Sequence, residues 1–138
     1  MNYDDFKVGY KGEYKTTITA EKNKEFGDLV GDHNPVHFDE KRMQKSIFKH
    51  IVTNGFLTES TIGAALVKMF VTDECVVIAL KKEIKLVAPV YIGETITAVV
   101  IVAERFHEKK RLLCDCIVKK EDGTKVVEAK FLVKILDV

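Results

Sequence analysis

The sequence predicts an α+β domain in which one antiparallel sheet wraps around a long buried central helix. Residues 54–70 (NGFLTESTIGAALVKMF) have Glu59 and Lys68 as their only charged residues, and apolar side chains spread around most of a helical circumference. A helix apolar nearly all round belongs in an interior. After it come long runs rich in β-branched residues, separated by short polar breaks, which is the pattern of strands. At 138 residues and 46% apolar composition the chain has room for one core. Residues 1–138 are therefore read as a single domain whose strands wall in its helix.

Taken in order, residues 13–19 (EYKTTIT) alternate in polarity and form a first strand. Thr19 then caps a short helix to about Val30, with Glu21 in the first turn where the helix dipole favours a carboxylate. Pro35 stops that helix and pushes Asn34 out of the α region, so residues 30–39 are read as a loop. The central helix follows. Residues 75–87, 94–106, 111–119 and 125–136 read as four strands, the last two joined by an Asp-Gly turn in residues 121–124 (EDGT). Consecutive hairpins make these four a meander. The open edges of such a sheet favour pairing into a homodimer or higher homo-oligomer.

Lys plus Arg number 22 against 21 Asp plus Glu, a formal charge of +1, which gives no reason to expect a nucleic-acid or membrane partner. Three cysteines at irregular spacing, with no CxxC, fit reduced thiols in a cytoplasmic protein. The N-terminal stretch MNYDDFKVGY is polar, and no apolar run approaches the ~18 residues of a membrane span.

Residues 30–39 (VGDHNPVHFD) concentrate the chemistry. His33 and His37 stand four apart, as in HExxH, but Asn34 replaces the glutamate and Pro35 interrupts the helix that would align the imidazoles, so no metal is expected. As isolated chemistry, Asp-His-Asn-Pro also makes an ordinary polar turn. Its position argues for more. The stretch lies just ahead of the apolar helix, with Asp32 and His37 on either side of a stiff Asn-Pro step. A carboxylate beside an imidazole is an acid/base pair suited to neutral pH. His33, inside the turn, is expected to face solvent.

Residues 26–37 (FGDLVGDHNPVH) resemble the signature of the MaoC-like (R)-specific enoyl-CoA hydratases and 3-hydroxyacyl dehydratases, which have the hot dog fold. Phe26, Gly31, Asp32, Asn34, Pro35, Val36 and His37 match it. The likeness continues through HIVTNGFLTESTIGAAL and IKLVAPVYIGETITAVV and covers nearly the whole chain. Val30, Met43 and Asn54 depart from the pattern, and the commoner residue before the helix glycine is histidine.

The resemblance implies reversible addition of water to a trans-2-enoyl thioester, giving an (R)-3-hydroxyacyl thioester, with no cofactor. Asp32 and His37 would grip the water and move the protons. Asn34 would hold the loop, and Gly55 would let the thioester oxygen approach a backbone amide at the helix start. The helix face bearing Ser60 would wall the acyl chain. The substrate partner is an acyl-CoA or an acyl carrier protein thioester, and Lys81, Lys82 and Lys85 or Lys109, Lys110 and Arg111 are candidate phosphate contacts, although a solvated surface is their more ordinary role. Cys75, Cys114 and Cys116 read as packing residues. Two other functions compete. A hot dog thioesterase would use a carboxylate on the central helix, Glu59, and would leave GDHNPVH unexplained. A non-catalytic acyl-CoA-binding hot dog module would have no need of an Asp/His pair.

Overall fold

The computed structural model describes residues 1–138. In chain order the elements are β1 (Lys11–Thr17), α1 (Ala20–Val30), α2 (Pro35–Phe38), α3 (Glu40–Met43), α4 (Gly55–Phe70), β2 (Cys75–Leu86), β3 (Thr95–Phe106), β4 (Arg111–Lys120) and β5 (Lys125–Asp137). No helix is long and apolar enough to cross a membrane.

The five strands form one antiparallel sheet in the order β1-β3-β4-β5-β2. The architecture is the expected α+β hot dog, but the four-strand meander holds only for β3, β4 and β5. β2 lies at the far edge against β5 and does not touch β3. The cause is in residues 87–94, which contain Pro89 and are no tight turn. Their backbone steps across the end of the sheet: Val87 N–H donates to Val126, Thr53 N–H to Val90, and Gly93 N–H to Ile18. The connection thus carries the chain from β5's edge to β1's, and the segment ahead of α4 is tied down on the way.

Strand alternation builds the core. Ile96, Ala98, Val100 and Val102 on β3 and Leu112, Cys114, Cys116 and Val118 on β4 all point inward at period two and are buried. They close on Ile62, Ala65, Leu66, Met69 and Phe70 of α4. Thr58 and Thr61 are also buried there, and their hydroxyls donate to the Asn54 and Thr58 carbonyls, which satisfies polar groups that burial would otherwise penalise.

The sheet covers one side of α4 and leaves the opposite side open. Phe56 is 66% and Val67 54% exposed, and Ser60 and Gly63 lie on the same outer stripe. A helix apolar on both sides is therefore only half enclosed by its own chain.

Candidate active site

The stretch between α1 and α4 is built from helix ends. Gly31 stops α1 in the left-handed region (φ 76°), where glycine meets no steric penalty, and its N–H donates to Gly27 O. Asp32 N–H donates to the same carbonyl. Asn34 then caps a new turn, its Oδ1 accepting from Val36 N–H, with Pro35 at the first helical position. Residues 35–38 are therefore a short helix and not the plain loop expected. Pro35 ends one helix but is compatible with the first position of the next, where its missing N–H is not needed.

That turn aims His37 inward. Its Nδ1 lies 2.7 Å from Val52 O. A carbonyl only accepts, so Nδ1 carries the proton and Nε2 presents a lone pair. From α1, the buried Asn23 donates through Nδ2 to His37 O at 2.9 Å. The His37 side chain is only 12% exposed.

Asp32 faces it. Oδ1 accepts from Asn34 N–H at 3.2 Å, and Oδ2 accepts from Asn54 Nδ2 at 2.8 Å. The distance from Asp32 Oδ2 to His37 Nε2 is 3.8 Å, too long for a direct hydrogen bond.

At the start of α4, Asn54 is the N-cap, its Oδ1 accepting from Phe56 N–H at 2.8 Å. The Gly55 N–H next to it donates to no acceptor within the chain. It is one of the unpaired amides at the positive end of the helix dipole. A Cβ on Gly55 would lie 2.7 Å from Leu86 Cδ1, so glycine here also permits close approach to β2. His37, Gly55 and Thr58 open onto a cleft of about 360 Å³ lined further by the apolar Phe48, Leu86 and Val126.

Of the residues singled out in the sequence, His37 and Gly55 line the cleft; Asp32 and Asn34 do not, but Asp32 Oδ2 stands 3.8 Å from His37 Nε2 and the Asn34 N–H holds its other oxygen. Ser60 stands apart: it is exposed, does not line the cleft, and its hydroxyl donates to Leu57 O. His33 is at the surface, 2.9 Å from Asp28. Glu59 is 2.7 Å from Lys82, Lys110 pairs with Asp137, and Lys81 lies 4.0 Å from Glu83, so three of the proposed phosphate contacts already have carboxylate partners. Cys114 and Cys116 pack in the core, where burial first, and the neighbouring Asp115 to a lesser degree, push the Cys114 thiol up to about 12. Cys116 is raised as well, chiefly by burial. Such thiols are inert.

Sequence reasoning missed Asn23, Thr58 and the contact made by Asn54. Asn23 left one trace: asparagine disfavours helix interiors, so an Asn in the body of α1 had to be there for its side chain.

The chain as a whole has relatives among known proteins. The model of the MaoC like domain matches residues 5–127. The chain is 30% identical over 137 residues to a 3-hydroxybutyryl-CoA dehydratase of Methylorubrum extorquens, covering 98% of this chain and 84% of that one. It is 32% identical over 108 residues to an (R)-specific enoyl-CoA hydratase of Rhodospirillum rubrum, covering 78% and 74%. Among solved structures, the unliganded (R)-hydratase of Pseudomonas aeruginosa superposes with a TM-score of 0.85 at 26% identity, covering 99% of this chain and 89% of that one. With the match running from the first strand through α4 into β5, the chain belongs to the MaoC-like family of hot dog proteins.

Proposed function

We propose that this chain is an (R)-specific enoyl-CoA hydratase, a hydro-lyase that adds water reversibly and syn to trans-2-enoyl thioesters. One observation carries the reading: Asp32 Oδ2 stands 3.8 Å from the Nε2 of His37, and His37 lines an apolar cleft together with Gly55, whose N–H has no partner in the chain. A water oxygen 2.8 Å from both acceptors would subtend about 85° between them, strained but within hydrogen-bonding range. Both acceptors face that water with lone pairs, so both of its protons are claimed and its oxygen is left nucleophilic.

In the forward step the water oxygen bonds to C3 as His37 Nε2 takes one of its protons. The π electrons move through C2 onto the thioester oxygen, where the Gly55 N–H donates to the growing negative charge. The electrons return to C2 as the proton is delivered there by the Asp32/His37 pair, which makes the addition syn because both parts of the water come from one face. Removing a single oxyanion donor of this kind typically costs about 2.7–4 kcal/mol of transition-state stabilisation. Phe48, Leu86 and Val126 give the acyl chain an apolar wall in place of the Ser60 face.

We infer further that the open side of α4 packs against a second copy of the chain, since Phe56 and Val67 leave large apolar side chains in the open there. Three free, buried cysteines support a reducing compartment such as the cytoplasm.

The test is the ultraviolet absorbance of crotonyl-CoA mixed with the protein, since hydration destroys the conjugated enoyl thioester. The band fades with the parent and persists with Asp32→Asn, and chiral chromatography finds the (R)-3-hydroxybutyryl product. The same chain length carried on an acyl carrier protein tells which thioester is preferred. A parent that leaves every enoyl thioester untouched refutes the proposal.

A further inference from the structure

We propose that Asn54 is a positioning residue that locks the Asp32 carboxylate to the start of α4. This inference rests on the hydratase reading above. Asn54 stands where the family pattern commonly has histidine, and nothing in that pattern gives it a role.

The geometry leaves its amide one orientation. Phe56 N–H is a donor, so the atom 2.8 Å from it is Oδ1; the Asp32 carboxylate accepts, so the atom 2.8 Å from its Oδ2 is Nδ2. Flipping the amide would break both bonds at once. Asn54 is 2% exposed, so water does not substitute for either contact. A cap alone needs only an acceptor, and Ser, Thr and Asp supply one as well as Asn does. The donor end is surplus to capping, and it is spent on a carboxylate 22 residues away in the chain.

Two consequences follow for the site. A donor on Oδ2 and the Asn34 N–H on Oδ1 fix the plane of the carboxylate, so the 3.8 Å separation from His37 Nε2 is held from the Asp32 side. The same side chain caps the helix whose first residue, Gly55, lines the cleft and has an unpaired N–H. Asp32 and the oxyanion donor are therefore spaced by one residue instead of by two independent loops, and errors near 1 Å in such placement cost about 10²-fold in rate.

Asn54→Asp separates this role from capping. Aspartate keeps the acceptor for Phe56 N–H but sets a carboxylate against Asp32 where the donor was. Around Asp32 stand the His37 imidazole from α2, the Asn34 amide and the Asn54 cap of α4, and His37 is the only ionisable group of the three. Two carboxylates at this distance share a proton once one is available. In its protonated form the introduced carboxyl would donate to Asp32 as the Asn54 amide does.

The experiment is steady-state hydration of crotonyl-CoA by parent, Asn54→Asp and Asn54→Ser from about pH 8 to pH 5, with melting temperatures alongside. Expected for Asn54→Asp is a kcat about 10²-fold below the parent near pH 8, with KM little changed. The variant-to-parent ratio of kcat then climbs as the pH falls. Asn54→Ser, which caps but is too short to reach Asp32, folds and loses a similar factor with no such climb. Parent-like kcat in either folded variant overturns the proposal, and so does an Asn54→Asp deficit that ignores pH. A parent inert toward all enoyl thioesters overturns the hydratase reading and this inference with it, an outcome distinct from active variants beside an active parent.

Discussion

Within a short reach of chain the protein makes two histidine–carboxylate pairs of opposite character. His50 Nδ1 lies 2.7 Å from Glu40 Oε1, with the two side chains 67% and 45% exposed. His37 Nε2 stops 3.8 Å short of Asp32 Oδ2, with 12% and 32% exposure. In the first pair the partners satisfy each other. In the second each partner is held by someone else, His37 Nδ1 by Val52 O and Asp32 by Asn34 and Asn54, which leaves His37 Nε2 free and a second lone pair on Asp32 Oδ2. A surface ion pair in direct contact has little left to offer a substrate, whereas a sheltered pair held apart by its own supports presents two unspent lone pairs. The exposed His33–Asp28 contact, at 2.9 Å, belongs with the first kind.

The sharpest way to break this comparison is to replace the histidines one at a time. His37→Gln keeps an amide able to donate to Val52 O but has no group that takes a proton. Its turnover of crotonyl-CoA is expected to fall by about 10²–10⁴-fold, the usual share of a general acid/base. His50→Gln and His33→Gln are expected to stay within about twofold of the parent, as exposed pairs contribute little. Equal losses in all three would dissolve the distinction.

Gly55→Ala probes the other arm of the site. The new Cβ meets Leu86 Cδ1 at 2.7 Å, and Leu86 is 56% exposed, so its side chain has room to swing. Stability should hardly change. The displaced Leu86 lines the cleft beside the Gly55 amide, so kcat/KM is expected to drop by about 10²-fold. A large fall in melting temperature with intact kcat/KM would instead make Gly55 a packing residue alone.

The same contrast explains what the sequence reveals. Contacts set by local periodicity were legible. Alternation in β3 and β4 separates core from surface, the Asp122-Gly123 step forms the β4–β5 turn with Gly123 at φ 89°, and Thr19 caps α1. Asp32 and His37 fall in one motif and so could be named together. Their supports could not, because His37 leans on Val52 and Asn23, and Asp32 on Asn54, through single hydrogen bonds across 14 to 22 residues of sequence. A run rich in β-branched residues marks β2 as a strand but carries no information about its partner. Only the backbone bonds of residues 87–94 send it to β5. Ser60 illustrates the same limit, since helical spacing could not say which stripe of α4 the sheet would cover.

Glu59→Gln tests the thioesterase alternative with a smaller expected effect. Glu59 is 11% exposed but pairs with Lys82 of β2, which is 52% exposed, and it does not line the cleft. Hydration is expected to stay within about twofold of the parent, and the loss of a half-exposed pair is expected to change stability by about 1 kcal/mol or less. Abolished turnover in a folded variant would move the chemistry onto α4.

The smallest effect concerns the surface pair itself and is read in stability, not rate. The Ile51 N–H, 3.0 Å from Glu40 Oε2, and secondarily His50 hold the Glu40 carboxyl below its ordinary 4.5. A carboxyl lowered in the folded state binds its proton more readily in the unfolded chain. Its contribution is therefore fully present above about pH 4.5 and is lost as the pH falls through the lower folded value. Between about pH 5 and pH 3 the parent's melting temperature should decline more steeply than that of Glu40→Gln, which has no proton to bind there. His50→Ala should lie between the two, because the backbone donor is the larger cause and survives the substitution. If His50→Ala instead matches Glu40→Gln, the imidazole and not Ile51 holds the carboxylate, and the surface pair is more strongly coupled than its exposure implies.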